Sequence, residues 1–246
     1  MRSLNQLDLS WCVRRLPKDV RDLIKANPGK LSMAGGFIRA VIAREEISDI
    51  DLFSDTPEHA REWANKFNEK KGRRIGETDN AYTVYGAGLP VQFIHRWVYD
   101  KPEAVISSFD FSICAAAIWW EGNKWVGRCS ESFYEDLAAK RLVYLSPKRD
   151  EAAGGSLLRV LKYYARGYRI PMPSFAAVLD RIVAAIDMDR LAYTEDGETN
   201  KGFATREEVI LGLLREVDPL LAEVTSDPND HKHVDQSEET GLDPQI

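Results

Sequence analysis

Cysteine is scarce in this chain. Cys12, Cys114 and Cys129 are the only three in 246 residues, without a CxxC pair or Cys/His ligand spacing. Such usage argues against a disulfide framework or a structural zinc and fits a reducing cytoplasm. Long apolar runs are missing as well: no stretch approaches a membrane span, and "MRSLNQLDLSWCVRRLPKD" is too broken by charge and amide to read as a signal peptide, so a soluble, cytoplasmic protein is expected. No internal repeat is visible. An excess of positive charge is also lacking, since the formal net charge is -6.

That charge is unevenly spread. Residues 187–246 carry sixteen acids against five Lys/Arg, a balance of -11, which leaves about +5 on the first 186. Between Leu137 and Arg181 lie Lys140, Arg141, Lys148, Arg149, Arg159, Lys162, Arg166, Arg169 and Arg181, against Asp150, Glu151 and Asp180. A basic stretch of this kind suits either a phosphate-bearing partner or a solvated helix face.

The order of elements follows from periodicity. "LPKDVRDLIKAN" predicts an amphipathic helix, "KLSMAGG" a short strand ending in glycines, "FIRAVIARE" a helix, "ISDIDLFS" an alternating strand, and "TPEHAREWANKFNEKKG" a helix. "AYTVYG" and "PVQFIHRW" predict two more strands, "PEAVISS" a short helix, and "FDFSICAAAIWW" a strand that turns at "EGNK". From "SFYEDLAAKRL" on, strand signals fade. Helical periodicity then dominates "GGSLLRVLKYYARGY", "PSFAAVLDRIVAAID" and "TREEVILGLLREVDPLLAEV". The expectation is an α+β fold with a mixed β-sheet and flanking helices in residues 1–150, a helical domain in 151–225, and a disordered acidic tail in 226–246.

Chemistry concentrates in "AGGFIRAVIAREEISDIDLF". Asp49 and Asp51 interrupt a segment that otherwise reads as a buried strand, and two carboxylates there are costly without a cation. Alternate residues of a strand share a face, so the pair stands about 7 Å apart along the chain and converges in front of the sheet. Magnesium accepts one or two carboxylates and takes its remaining ligands from water and substrate phosphate. Gly35 and Gly36 lack a Cβ where backbone would approach a ligand, and the helix that follows directs free N–H groups to the same place. A triphosphate suits that geometry.

In this order and spacing the residues resemble the polymerase-β-like nucleotidyltransferase superfamily, nearest to the head domain of CCA-adding enzymes and bacterial poly(A) polymerases. The family's Gly-Gly-x-Val-Arg start corresponds to Gly35, Gly36, Ile38 and Arg39, and its Asp-x-Asp strand to Asp49 and Asp51. "SSFDFSICAAA" is similar to the family's Arg-Asp-Phe-Thr-Ile-Asn-Ala segment, with Asp110, Phe111, Ser112, Ile113 and Ala115 in matching places. "LLRVLKYYARGYRI" is similar to its Leu-Leu-Arg helix, with Arg159 and Lys162 as the basic pair. The resemblance covers about Leu31 to Ile170.

It implies transfer of a nucleoside monophosphate from an NTP to an acceptor hydroxyl, with pyrophosphate release. Asp49 and Asp51 would hold two Mg2+ ions, one activating the acceptor and one stabilising the leaving pyrophosphate. Asp110 would assist the metals or hold the ribose, Gly35, Gly36 and Arg39 would contact or support the triphosphate, and Arg159 with Lys162 would offset its charge. An RNA 3′ end, reached through the basic 137–181 region, is the favoured acceptor over a small molecule or a protein side chain.

The chain departs from the family in three places. Ala40 replaces the aspartate that usually follows the arginine, and Gln92 stands where a third metal-binding carboxylate is common. The Glu-Asp-x-x-Arg base-selection signature is not recognisable before Arg159. The alternative reading is therefore a nucleotide-binding or interaction module that keeps the fold without transfer; a phosphate site on an unrelated α/β fold is the third. "NPGKLS" is no Walker A, because Ile24 occupies the position five residues before Gly29 that needs glycine. His231 and His233 sit in the tail without partners, His95 reads as a capping or surface residue, and the tryptophans of "IWWEGNKW" read as hairpin packing.

Overall fold

The computed structural model describes residues 1–69, 74–86, 88–147, 153–186 and 205–215. The chain divides into two compact units, Met1–Arg149 and Asp150–Ile246. The expected acidic tail, 226–246, lies outside the described residues.

The first unit is built on an eight-stranded mixed sheet: β1 (Arg2–Ser3), β2 (Leu31–Ala34), β3 (Ile50–Ser54), β4 (Arg74–Glu77), β5 (Ala81–Tyr85), β6 (Val91–Ile94), β7 (Ala116–Glu121) and β8 (Lys124–Cys129). Their order is β1-β8-β7-β2-β3-β6-β5-β4. Only β3 and β6 run parallel; the remaining pairs are antiparallel. The helices of this unit are α1 (Gln6–Arg15), α2 (Lys18–Ala26), α3 (Gly36–Ala43), α4 (Pro57–Glu69) and α5 (Phe133–Ala138), with 3-10 segments at Pro102–Ser108 and Ser112–Cys114. The expected α+β fold with a mixed sheet and flanking helices is the one observed.

The central strands are short and covered on both sides, which is why their apolar residues run together instead of alternating with polar ones. Leu31, Met33, Ile50, Leu52 and Phe93 are fully buried on one face, where α4 brings Phe67 edge-on to Phe93 at 5.8 Å. On the other face Ala34, Phe53, Ile94, Ala117 and Trp119 form a second cluster with Val105 and Ile106 of the 3-10 segment. Asp51 belongs to this second face, because it is in register with Ala34 and Gln92. It is half-buried, with Ala34 and Gln92 beside it on the neighbouring strands.

Two expected strands come out shorter. β3 begins at Ile50, three residues later than the alternation of "ISDIDLFS" suggests, since its partners run out there. β2 stops at Ala34, opposite Asp51, when the chain turns into α3. On the other side Ile50 N–H donates to the carbonyl of Pro90 at 2.9 Å, and proline has no N–H to continue the ladder. Asp49 therefore sits one residue before the sheet. The expected strand from 109 to 120 is likewise split: Phe111 bridges Tyr144 and Ser112 N–H donates to the Val143 carbonyl at 3.0 Å, so only Ala116–Glu121 joins the sheet. The short helix of "PEAVISS" is a 3-10 segment. Periodicity missed β1, α1, β4 and β8, all short or with weak patterns.

The second unit contains α6 (Gly154–Ala165), α7 (Met172–Ala184) and α8 (Arg206–Arg215). Gly167, at φ 87, ends α6, with Tyr168 N–H returning to the Tyr163 carbonyl at 3.0 Å. Pro171 precedes α7. Thr205 and Glu208 cap the start of α8 reciprocally: Glu208 N–H donates to Thr205 Oγ1 at 3.2 Å and Thr205 N–H to Glu208 Oε2 at 2.6 Å. No helix among the described residues is long and apolar enough to cross a membrane.

Candidate nucleotidyl-transfer site

The glycine pair is placed by the sheet. Gly35 follows the last residue of β2, and its N–H donates to the Ala116 carbonyl at 3.1 Å. Its backbone then takes φ +81 to turn into α3, a conformation that disfavours side chains. Space excludes them as well. A Cβ on Gly35 would lie 2.9 Å from Phe109 Cε1, 3.1 Å from Phe109 Cζ and 3.8 Å from Asp51 Oδ2. Backbone, aromatic ring and carboxylate thus close on one spot. α3 opens on Gly35, which has no side chain to cap it, and the N–H groups of a helix start favour an anion.

Asp49 is half-buried, and Ser48 Oγ donates to its Oδ1 at 2.9 Å. Gln92 flanks Asp51 in the parallel register of β3 and β6, so a neutral amide occupies the strand position adjacent to the second aspartate. Neighbouring strands stand about 4.8 Å apart, so the two side chains leave the same face side by side. Among the described residues no three His, Cys, Asp or Glu side chains gather as a metal-holding group. Asp110 directly follows Phe109, whose ring edge crowds Gly35. Asp110 is 3% exposed, and its carbonyl accepts from Leu145 N–H at 2.7 Å.

Two half-buried carboxylates at the end of the sheet fit magnesium, which takes one or two acids from the protein and most of its shell from water and phosphate. Where a Cβ on Gly35 would stand, the Phe109 ring already crowds the backbone, so the close packing at this turn requires glycine.

Arg39 is buried, 3% exposed, one turn into α3. Its Nε lies 3.2 Å from Glu45 Oε2, its Nη1 lies 3.9 Å from Cys114 Sγ, and the same Nη1 would lie 3.9 Å from a Cβ on Gly36. Arg39 thus ties α3 to the segment after Asp110 from beneath the glycine turn, a supporting position. Arg159, half-buried, and Lys162, exposed, stand on α6 of the second unit. The basic 137–181 stretch spans both units. Within it Arg141 is engaged by Asp136, Arg169 lies over the Tyr164 ring at 4.3 Å, and Lys148 and Arg149 lie outside the described residues.

Sequence reasoning overlooked four residues here. Ser48, Glu45 and Phe109 touch the acids, the arginine and the glycine, and each is adjacent in sequence to a motif residue or to the end of α3. Asp136 carried no signal: Ser132 and Arg141 lie four and five residues away in no recognisable motif, and Ser112 is brought to it only by the fold.

The model of the "Gabija anti-defense 2 family protein" family matches residues 3–140, the greater part of the chain and nearly the whole first unit. The chain belongs to the Gabija anti-defense 2 family. A curated relative, "Gabija anti-defense 2" of Bacillus phage SPbetaL7, is 23% identical over 180 residues, which cover 73% of this chain and 43% of the relative. The chain thus spans less than half of that relative's length. Solved structures share the fold, among them two CCA-adding enzymes. A CCA-adding enzyme in complex with ATP has a TM-score of 0.58 at 15% identity, covering 91% of this chain and 53% of that one. The Thermotoga maritima CCA-adding enzyme complexed with tRNA has a TM-score of 0.55 at 14% identity, covering 98% and 63%. The chain therefore has a nucleotidyltransferase-like fold.

Proposed function

We propose that this chain is a metal-dependent nucleotidyltransferase, transferring a nucleoside monophosphate from an NTP to an acceptor hydroxyl with pyrophosphate release, and that this transfer counters Gabija defence. The first unit serves as the catalytic head and the second as a helical domain. The observation that carries the reading is the convergence of Gly35, the first turn of α3 and Asp51 Oδ2 on one spot, with Asp49 two residues away. Two-carboxylate binding suits two Mg2+ ions shared with the substrate phosphates, which would neutralise phosphate charge and lower the pKa of the acceptor hydroxyl. The α3 N–H groups hold phosphate oxygens, Arg39 keeps the turn in place, and Asp110 faces the ribose. Arg159 and Lys162 offset the remaining triphosphate charge, and an RNA 3′ end is the favoured acceptor.

The family description and the CCA-adding fold support this reading from different sides. Incubating the protein with each labelled NTP, Mg2+, and pools of tRNA, total RNA and Gabija proteins, then asking which species gains label, tests donor and acceptor together. Label on RNA supports the favoured acceptor, and label on a Gabija protein moves the acceptor to a side chain. Gln92 beside Asp51 favours the second reading, nucleotide binding without transfer. NTP binding with no pyrophosphate released in Mg2+ under any of these conditions would establish that reading instead.

A further inference from the structure

Phe109 is an aromatic residue at the Gly35 turn that the transfer chemistry does not use. It packs on the buried cluster of Ala34, Phe53 and Ala117, yet unlike them it remains half-exposed. One ring edge, Cε1 and Cζ, crowds the position of a Cβ on Gly35, and Asp51 Oδ2 lies 3.8 Å from the same point. Behind it the ring meets Phe53 edge-on at 5.9 Å and 77°, and Phe53 in turn meets Tyr99 at 6.3 Å, so retreat into the core is blocked. Its chain neighbours are pinned as well. Ser108 Oγ donates to the Val105 carbonyl at 2.7 Å, and the Asp110 carbonyl accepts from Leu145 N–H at 2.7 Å.

A fixed apolar surface beside a carboxylate has nothing to offer a phosphate, which seeks N–H groups and cations. It does suit the face of a base or the C–H side of a ribose, because aromatic stacking tolerates any base and gains from removing ring surface from water. We infer that Phe109 is a nucleoside-binding residue of this site: its partly exposed ring forms the wall against which the nucleoside part of the NTP rests, while Gly35 and the start of α3 take the phosphates. This rests on the nucleotidyltransferase reading and adds to it a stacking contact that no motif residue supplies.

The test separates nucleoside from phosphate. Calorimetry in Mg2+ with ATP and with inorganic tripolyphosphate is run on the full chain, the wild type beside Phe109→Ala and Phe109→Tyr. Phe109→Ala weakens ATP binding about tenfold to a hundredfold, the range alanine substitution gives for a stacked base, and leaves tripolyphosphate within about twofold. Phe109→Tyr, which keeps the ring, stays close to wild type. Phe109→Leu, which keeps apolar bulk in the core without a stacking face, loses ATP selectively as the alanine variant does, and replaces it if that variant does not fold. Equal losses for both ligands would make the ring a mere prop for the glycine turn and overturn the inference. Unchanged ATP binding would overturn it too, with the phosphate site standing. A wild type that binds neither ligand in Mg2+ brings down the nucleotidyltransferase reading itself and the inference with it.

Discussion

Two carboxylate settings in the first unit differ in how they meet solvent. Asp136, 0% exposed, is saturated: Ser112 Oγ donates to its Oδ2 at 2.6 Å, Ser132 Oγ to the same oxygen at 2.7 Å, and the Arg141 guanidinium to its Oδ1 through Nε at 2.7 Å and Nη2 at 2.6 Å. Asp49 and Asp51, by contrast, are half-buried at the end of β3, where Asp49 accepts from the Ser48 hydroxyl and Asp51 Oδ2 borders the space over Gly35. A buried charge that serves the fold must be fully paired, since an unpaired one costs several kcal/mol. A carboxylate that serves a ligand keeps access to solvent.

The largest expected effect falls on the open setting. Asp51→Asn or Asp49→Asn lowers nucleotidyl transfer by on the order of a thousandfold, because a metal-held charge is worth several kcal/mol in the transition state. The thermal midpoint should stay level or rise, since two neighbouring acids repel without a cation. Near-full activity of either variant in Mg2+ would remove these residues from the site. Asp136→Ala should show the opposite pattern. It destabilises by about 3 kcal/mol, at the low end for breaking a buried pair because Arg141 is itself half-exposed. Denaturant unfolding reads that loss, and an unchanged midpoint would refute the structural role.

Gly35→Ala comes next. The added Cβ meets Phe109 at 2.9 Å in a backbone at φ +81, for a cost of about 2 kcal/mol, with loss of triphosphate binding as the sharper readout. A fully active alanine variant would show that the close approach is not used. If RNA is the acceptor, Arg166→Glu or Arg169→Glu weakens binding and flattens its salt dependence by about one contact's worth, while truncation after Ser226 strengthens binding by removing competing acids. Filter binding across a salt series checks both, and a salt-independent interaction would exclude the basic region.

Gln92→Ala should change least, within about threefold of wild-type activity, because a neutral amide contributes little to a hard cation. Gln92→Asp should tighten Mg2+ binding by placing a third carboxylate beside Asp51. An equal loss in both Gln92 variants would mean that the amide itself touches substrate.

Much of the fold is legible in the chain's own pattern. The Gly35–Gly36 turn, α2, α4, β5, β6 and the helices of the second unit follow from apolar period and from turn residues, signals contained within a short run of neighbouring positions. The resemblance carried by Asp49 and Asp51 led to the right fold. The boundaries around the site are not legible in that way: where β3 begins depends on Pro90 and Ala34, and where the 109–120 segment leaves the sheet depends on Val143 and Tyr144. No local pattern contains a partner that lies so far along the chain.

By itself, then, the sequence determined which residues could hold metal and phosphate, since charge, missing Cβ atoms and spacing are properties of the chain. Tertiary structure alone decided how those residues are placed. Strand register set Gln92 beside Asp51, and packing buried Arg39 against Glu45 and brought the Phe109 ring onto Gly35. The reason is physical: register and packing are settled by which surfaces leave water together, and that choice is made between segments far apart in the chain.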